Sequence, residues 1–281
     1  MADESDLHPE LGTTAVTGIA ARLDESVVAP ESKATADVEE PVGNLWLIRH
    51  GEKAVRPPVD WQWSLSEHGQ AQAQEAAAYF ASAFGARATG PELWASPFLR
   101  TVQTAAPIAK QLGIPARLEP GLGEARQREN LRPIIPANGR VALLVECDAS
   151  LEPSNYDDTY EALVSPAVPE NAEQYTARVM EMARHLKTMS GGRHLIVVTH
   201  ASVVTGLTVA LTGQPLGEIG AGGNLHEASV MQLQGGPKQS WRVVQNGSTA
   251  HLSHLGWDAY RACESSTWLA FVGQHGSGPF V

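Results

Sequence analysis

The chain predicts an α/β fold, a three-layer α/β/α sandwich with a mainly parallel central sheet, and three observations predict it. Short apolar runs of strand length recur: Leu45-Trp46-Leu47-Ile48, Leu93-Trp94-Ala95 and His194-Leu195-Ile196-Val197-Val198-Thr199. Such runs suit strands buried in a covered sheet. Stretches of helical length lie between them, and strands alternating with helices imply parallel pairing. The 281 residues, 43% of them hydrophobic, can form a substantial core in one large α/β domain or two small ones.

In chain order, the first buried strand is Leu45–Ile48, and it runs into Arg49-His50-Gly51-Glu52. Ser64 and Glu67 have capping-box spacing and open an Ala- and Gln-rich helix to about Phe84. Leu93–Ala95 is a second strand. Ser96-Pro97 then starts a helix, with Ser as cap and Pro in the first turn, ending near Gly113. Ala116–Glu119 is a short third strand. Residues 125–170 form an excursion rich in Pro, Asp, Glu and Asn, with Val141–Val145 as a strand candidate. Glu170–Met189 is helical, with Tyr175, Val179, Met182 and Leu186 on one face. The strand His194–Thr199 ends at His200, and a helix through Leu211 follows. Ser229–Leu233 and Trp241–Val244 form a closing hairpin, and Asn246-Gly247-Ser248 reads as a turn.

Composition narrows the function classes. Charged residues make up 18% and the net charge is −11. Residues 1–42 hold ten Asp/Glu against Arg22 and Lys33, so most of the acidity sits in an arm expected to be disordered. The expected domain spans 43–254, with 255–281 as a C-terminal extension. A nucleic-acid partner would favour a basic surface, and none is expected. No apolar run approaches bilayer length, and the N-terminus lacks a signal core, so no membrane partner is expected. Cys147 and Cys263 form no CxxC pair, which fits a reducing compartment, cytoplasmic or nuclear. None of the ten His falls in HxxxH or HExxH spacing, so neither metal nor cofactor is expected.

The chemistry concentrates at strand ends. In open α/β sheets, ligands bind beyond the carboxyl ends of the strands. His50 and His200 each follow a buried strand and share one rim if those strands are parallel neighbours. Arg49 precedes His50, and Arg100 lies in the first turns of the helix after Ser96-Pro97. Helix N-termini and Arg forks both favour anions.

These segments carry a resemblance. Arg49-His50-Gly51 is similar to the RHG signature of the histidine phosphatase superfamily, whose fold is phosphoglycerate mutase-like. Leu65-Ser66-Glu67-His68-Gly69-Gln70-Ala71-Gln72-Ala73 resembles its L-[ST]-x-x-G-x-x-Q-A helix start, and Ser96-Pro97-Phe98-Leu99-Arg100 with Gln103-Thr104-Ala105 its S-P-x-x-R-x-x-Q-T-A segment. Glu119-Pro120-Gly121-Leu122-Gly123-Glu124 resembles the stretch carrying its acid, and His200 sits where its second histidine falls. The resemblance spans about residues 44–250. It implies a phosphomonoester hydrolase in which His50 attacks phosphorus and forms a phosphohistidine. It further implies that Arg49, Arg100 and a protonated His200 hold the phosphoryl oxygens, and that Glu124 moves the leaving-group proton. Lys53 follows Glu52 where some members place another basic residue, which leaves it open as a phosphate contact, a substrate contact or a surface lysine. Glu119, Glu129 and Asp148 are the competing carboxylates.

Departures shape the choice among activities. The run Glu52-Lys53-Ala54-Val55-Arg56-Pro57-Pro58 lacks the Asn usual in the mutases, which favours hydrolysis over transfer. Ala201 replaces the Gly that commonly follows the second histidine. The start of the signature and the helix over 170–186 resemble the branch of suppressor-of-T-cell-signalling phosphatases and a transcription factor IIIC subunit. That branch implies phosphotyrosine or a steroid phosphate, a choice the residues leave open. Trp61, Trp63 and Tyr156 are candidates for an aromatic-compatible pocket lining. The expected partner is a phosphorylated small molecule or a phosphoprotein, with a homodimer left open. The rival class is a non-catalytic interaction module that keeps the fold and docks partners through the arm and the excursion.

Overall fold

The computed structural model describes residues 42–54, 63–85, 90–124, 148–167, 169–215 and 225–255. Its elements are β1 (Gly43–Arg49), α1 (Glu67–Phe84), β2 (Glu92–Ala95), α2 (Leu99–Leu112), β3 (Ala116–Leu118), α3 (Ala172–Met189), β4 (His194–Thr199), α4 (Ala201–Thr212), β5 (Val230–Gly235) and β6 (Arg242–Ser248). The expected strand over 141–145, residues 1–41 of the acidic arm and the extension beyond Leu255 lie outside the described residues.

Alternate side chains of each strand point to opposite faces of the sheet. Trp46, Ile48, Leu93, Ala95, Ile196 and Val198 therefore pack with α1 and α2 on one side. Leu45, Leu47, Trp94, Leu195 and Val197 pack with α3 and α4 on the other. This is why β2 and β4 and the middle of β1 are apolar at nearly every position, and it gives the three layers. The strand order is β3-β2-β4-β1-β5-β6. The first four are parallel, and β5 and β6 add an antiparallel edge, so the sheet is mixed. The closing hairpin is β5–β6, and Asn246-Gly247-Ser248 is the end of β6 rather than a turn between strands.

Two helix starts differ from expectation. Helix α1 is capped by Ser66, whose Oγ accepts from the Gly69 N–H, and not by Ser64. The reason is tertiary: Ala54 N–H bonds the Ser64 carbonyl and Ser66 N–H the Glu52 carbonyl, which holds 64–66 extended. Helix α2 begins at Leu99, with Phe98 as an N-cap that makes no side-chain cap bond. Ser96 continues the sheet, its N–H on the Val198 carbonyl, and its hydroxyl faces His200 instead. Helix α3 has a full capping box between Asn171 and Gln174.

Residues 148–167, expected within an excursion, lie against the body. Tyr156 is buried, forms a parallel bridge to Ala116 and donates to the Val102 carbonyl. It is a core residue.

The core around Trp46, Phe80 and Phe84 joins β1 to α1 through edge-on aromatic contacts. Phe80 is fully buried. Phe80→Ala should lower unfolding free energy by about 3–5 kcal/mol, read as a shift in the urea midpoint. A loss under about 1 kcal/mol would show that this layer does not hold β1 in place.

Candidate active site

The register of β1 on β4 pairs Arg49 with Thr199, and the His50 N–H extends it by bonding the Thr199 carbonyl at 2.9 Å. The residues that follow, His50 and His200, therefore leave the sheet side by side, with ring centroids 5.3 Å apart. Helix α1 follows β1 on one face and α4 follows β4 on the other, so the histidines sit where adjacent connections part, the usual place for a ligand crevice.

His50 is 3% exposed. Its Nδ1 lies 2.8 Å from the Gly51 carbonyl oxygen. A carbonyl only accepts, so Nδ1 carries the proton and Nε2 keeps its lone pair. Burial, then the charges of Arg100 and Arg49, hold this imidazole well below the ordinary histidine range, against the small upward effect of the Gly51 bond. His50 is thus a buried neutral imidazole with a fixed tautomer.

The loop after His50 is held by a very close backbone approach. A Cβ on Gly51 would sit 2.6 Å from the Gly69 carbonyl oxygen, and a Cβ on Gly69 would sit 2.0 Å from the Glu52 carbonyl oxygen. Only glycine fits either position. Gly51 N–H donates to Thr104 Oγ1, and Glu52 N–H donates to Gln72 Oε1 at 2.7 Å. These bonds tie the loop to α2 and α1 and explain why Gly69, Gln72 and Thr104 belong to the motif segments.

His200 has no exposed surface. Its Nε2 is 2.9 Å from Ser96 Oγ, and its Nδ1 is 3.2 Å from Arg100 Nη2 and 3.6 Å from Glu124 Oε2. Because Arg100 is always a donor, it favours a bare Nδ1 and a proton on Nε2 aimed at Ser96. Burial, then Arg100, His50 and Lys53, push His200 well below its ordinary range. The expected imidazolium is therefore not what the surrounding protein groups favour on their own. Arg100, the second residue of α2, is 1% exposed, and its guanidinium lies 4.8 Å from the Phe98 ring centroid.

Arg49 reaches the same rim. It donates to the Leu225 carbonyl and to Glu227 Oε1, both at 2.7 Å. Glu227 lies in a turn where Ala228 takes a left-handed φ of 55° and its N–H bonds the His50 carbonyl. Lys53 pairs with Leu65 in an isolated bridge, and its ammonium sits 4.2 Å from the Trp63 ring centroid. Its charge contributes to the lowering of both histidines.

Of the carboxylates, Glu124 reaches His200, with side-chain exposure of 29%, and accepts a bond from Ser202 Oγ. Glu119 is fully buried, and it accepts from Gly121 N–H, Leu163 N–H, Val164 N–H and Tyr160 OH. Asp148 accepts from Gln103 and Ser150. Glu129 and Trp61 lie outside the described residues. Arg49, His50, Lys53, Arg100, Glu124 and His200 are thus brought to one rim. Sequence reading missed Glu227, Ser96 and Ser202. The first lies 178 positions from its partner Arg49, and no local pattern announces it. Among the described residues, no group of three or more His, Cys, Asp or Glu is arranged to hold a metal ion. No described helix is long and apolar enough to cross a membrane.

The fold and this rim define a three-layer α/β protein with two buried histidines beside Arg49, Lys53 and Arg100. A sequence profile of the histidine phosphatase superfamily (branch 1) matches residues 45–133 and 140–249. The chain belongs to that superfamily. Among curated proteins it is 29% identical over 192 residues to the transcription factor tau 55 kDa subunit of Saccharomyces cerevisiae, a match covering 61% of this chain and 41% of the yeast subunit. Among solved structures it resembles a mycobacterial glucosyl-3-phosphoglycerate phosphatase (TM-score 0.50, 22% identity, 74% of this chain and 100% of that one). It also resembles YhfR of Bacillus stearothermophilus (TM-score 0.50, 20% identity, 74% and 98%).

The lowered histidines have a consequence for stability. The unfolded chain takes up protons near the ordinary value of 6.5, whereas native His50, His200 and the half-buried His251 resist them. Their contribution is complete above that value and is lost as pH falls below it. The urea midpoint should fall between about pH 7.5 and pH 5.5, above the range where the lowered Asp148 and Asp157 titrate. A midpoint that holds or rises would contradict the neutral, buried state of these rings.

Proposed function

We propose that this protein is a phosphomonoester hydrolase that works through a phosphohistidine at His50, on a phosphorylated small molecule or phosphoprotein. The observation that carries the reading is the state of His50: buried, neutral, its Nδ1–H committed to the Gly51 carbonyl, and its Nε2 lone pair left as nucleophile beside Arg100 and His200.

Nε2 attacks phosphorus in line with the ester oxygen. The N–P bond forms as the P–O bond breaks, and Glu124 gives its proton to the departing oxygen. Water then attacks the phosphoryl group, Glu124 takes back a proton, and the N–P bond breaks to release inorganic phosphate. Arg49, Arg100, Lys53 and His200 stabilise the charge on the equatorial oxygens. The arriving dianion opposes Arg100, so it favours a proton on His200 that the protein alone does not. Loss of one such donor should cost on the order of a hundredfold in rate. Glu227 and the Leu225 carbonyl orient Arg49 rather than react.

A second reading, a weakly active or inactive fold that serves within a larger protein assembly, is favoured by the likeness to the yeast transcription factor subunit. The retained Arg49, His50, Arg100, Glu124 and His200 favour catalysis. A phosphoglycerate mutase is less favoured, because no Asn follows the RHG segment.

A phosphoester panel on wild type and His50→Ala, with and without EDTA, separates these readings. Wild type should hydrolyse at least one class of ester regardless of chelator, and His50→Ala should lose about a thousandfold or more. Because His50 stays neutral below its ordinary range, the acid limb of kcat/KM should lie below pH 6.5. Turnover that survives in His50→Ala would sink the proposal, and so would a wild type inert on every ester.

A further inference from the structure

Arg178 of helix α3 and Glu170, just before that helix, form a buried ion pair that no step above uses. Arg178 and Glu170 are 4% and 2% exposed. They meet as a two-pronged fork, Nε to Oε1 at 2.6 Å and Nη2 to Oε2 at 2.7 Å. The remaining terminal nitrogen, Nη1, donates to two main-chain carbonyls, Gly121 at 2.7 Å and Gly123 at 2.9 Å. The carbonyl between them, on Leu122, accepts from Thr199 Oγ1 at 2.6 Å. Three consecutive carbonyls are therefore each held by a side chain, and the next residue is Glu124.

The same loop is fixed from its other side. Gly121 N–H donates to the buried Glu119 at 2.7 Å. A Cβ on Gly121 would meet Met182 Sδ at 2.5 Å, so the backbone lies directly on α3. Beyond the loop, Glu124 is met by Ser202 and His200. Arg178 also lies under the Tyr175 ring, 5.0 Å from its centroid. A buried ion pair of this kind adds little net stability over apolar packing, because both charges lose their hydration. What it supplies here is direction: a planar fork locked by Glu170 presents Nη1 at one fixed place on the loop.

We infer that Arg178, held by Glu170, is a positioning residue for the proton donor Glu124, acting through the Gly121 and Gly123 carbonyls. The inference rests on the phosphohydrolase reading, with Glu124 as the acid. Misplacing a catalytic group by about 1 Å can cost on the order of a hundredfold. The damage should depend on the leaving group. A nitrophenolate departs without a proton, whereas an alkoxide needs one.

The test is kcat/KM, which reports phosphoryl transfer to His50, across aryl and alkyl phosphates of rising leaving-group pKa. Arg178→Lys keeps the charge and loses the fork. It should lose less than about threefold on nitrophenyl phosphate and at least about thirtyfold on an alkyl phosphate, which steepens the leaving-group slope. Glu124→Gln should steepen it likewise, and the double variant should be no steeper than Glu124→Gln alone. Glu170→Gln, which frees the guanidinium but keeps a neutral partner, should steepen it in part, and it carries the test if Arg178→Lys does not fold. A uniform loss across the series with unchanged slope, or additive slopes in the double variant, overturns the inference and leaves the phosphohydrolase reading standing. A wild type without His50-dependent turnover overturns both.

Discussion

The parallel register of β1 on β4 is the constraint on which the rest depends. Pairing Arg49 with Thr199 puts the next residues of both strands, His50 and His200, at the same height on the rim. A slip of one residue would turn one set of side chains to the opposite face. It would bury what now points at α1 and α2 among α3 and α4, and it would separate the imidazoles. The two apolar layers therefore set the active-site geometry as well as the stability: the alternation that fills both cores is the alternation that fixes the register.

A conflict of charge meets at this rim. Arg100, Arg49 and Lys53 crowd two imidazoles that burial already keeps neutral. Protons are driven off the rings that way, which leaves His50 Nε2 with its lone pair. Glu227 and Glu124 offset part of the positive charge, one on Arg49 and the other beside His200. The two carboxylates differ in use of chain: Glu227 arrives on a turn strained at Ala228, whereas Glu124 arrives on a loop whose main chain is tied down on two sides.

Much of this was legible in the sequence, for local reasons. The strands ending at His50 and His200 are continuous apolar runs, and the RHG and S-P-x-x-R segments are compact enough to be read alone. The helix caps were misread because their alternatives depend on distant partners. Ser64 is spent in pairing with Ala54, and Ser96 is drawn to His200, 104 residues away. Glu119 and Glu124 look alike in sequence, and only the fold tells them apart: the first is surrounded by N–H donors, and the second faces an imidazole. What lowers His200 in the absence of a bound anion, burial and then the contact with Arg100, exists only in three dimensions. Tyr156 likewise reads as a candidate pocket lining until the bridge to Ala116 places it in the core.

The proposed chemistry starts from the lone pair of His50 Nε2, and its most direct measurement is the chemical identity of a trapped intermediate. Wild-type protein turning over an aryl phosphate would be quenched in base and digested, and the phosphorylated peptide sequenced by mass spectrometry. A phosphoryl group on His50, stable to alkali and lost in acid, is the predicted result. Steady turnover with phosphate on another residue, or with none bound covalently at any time point, would contradict it.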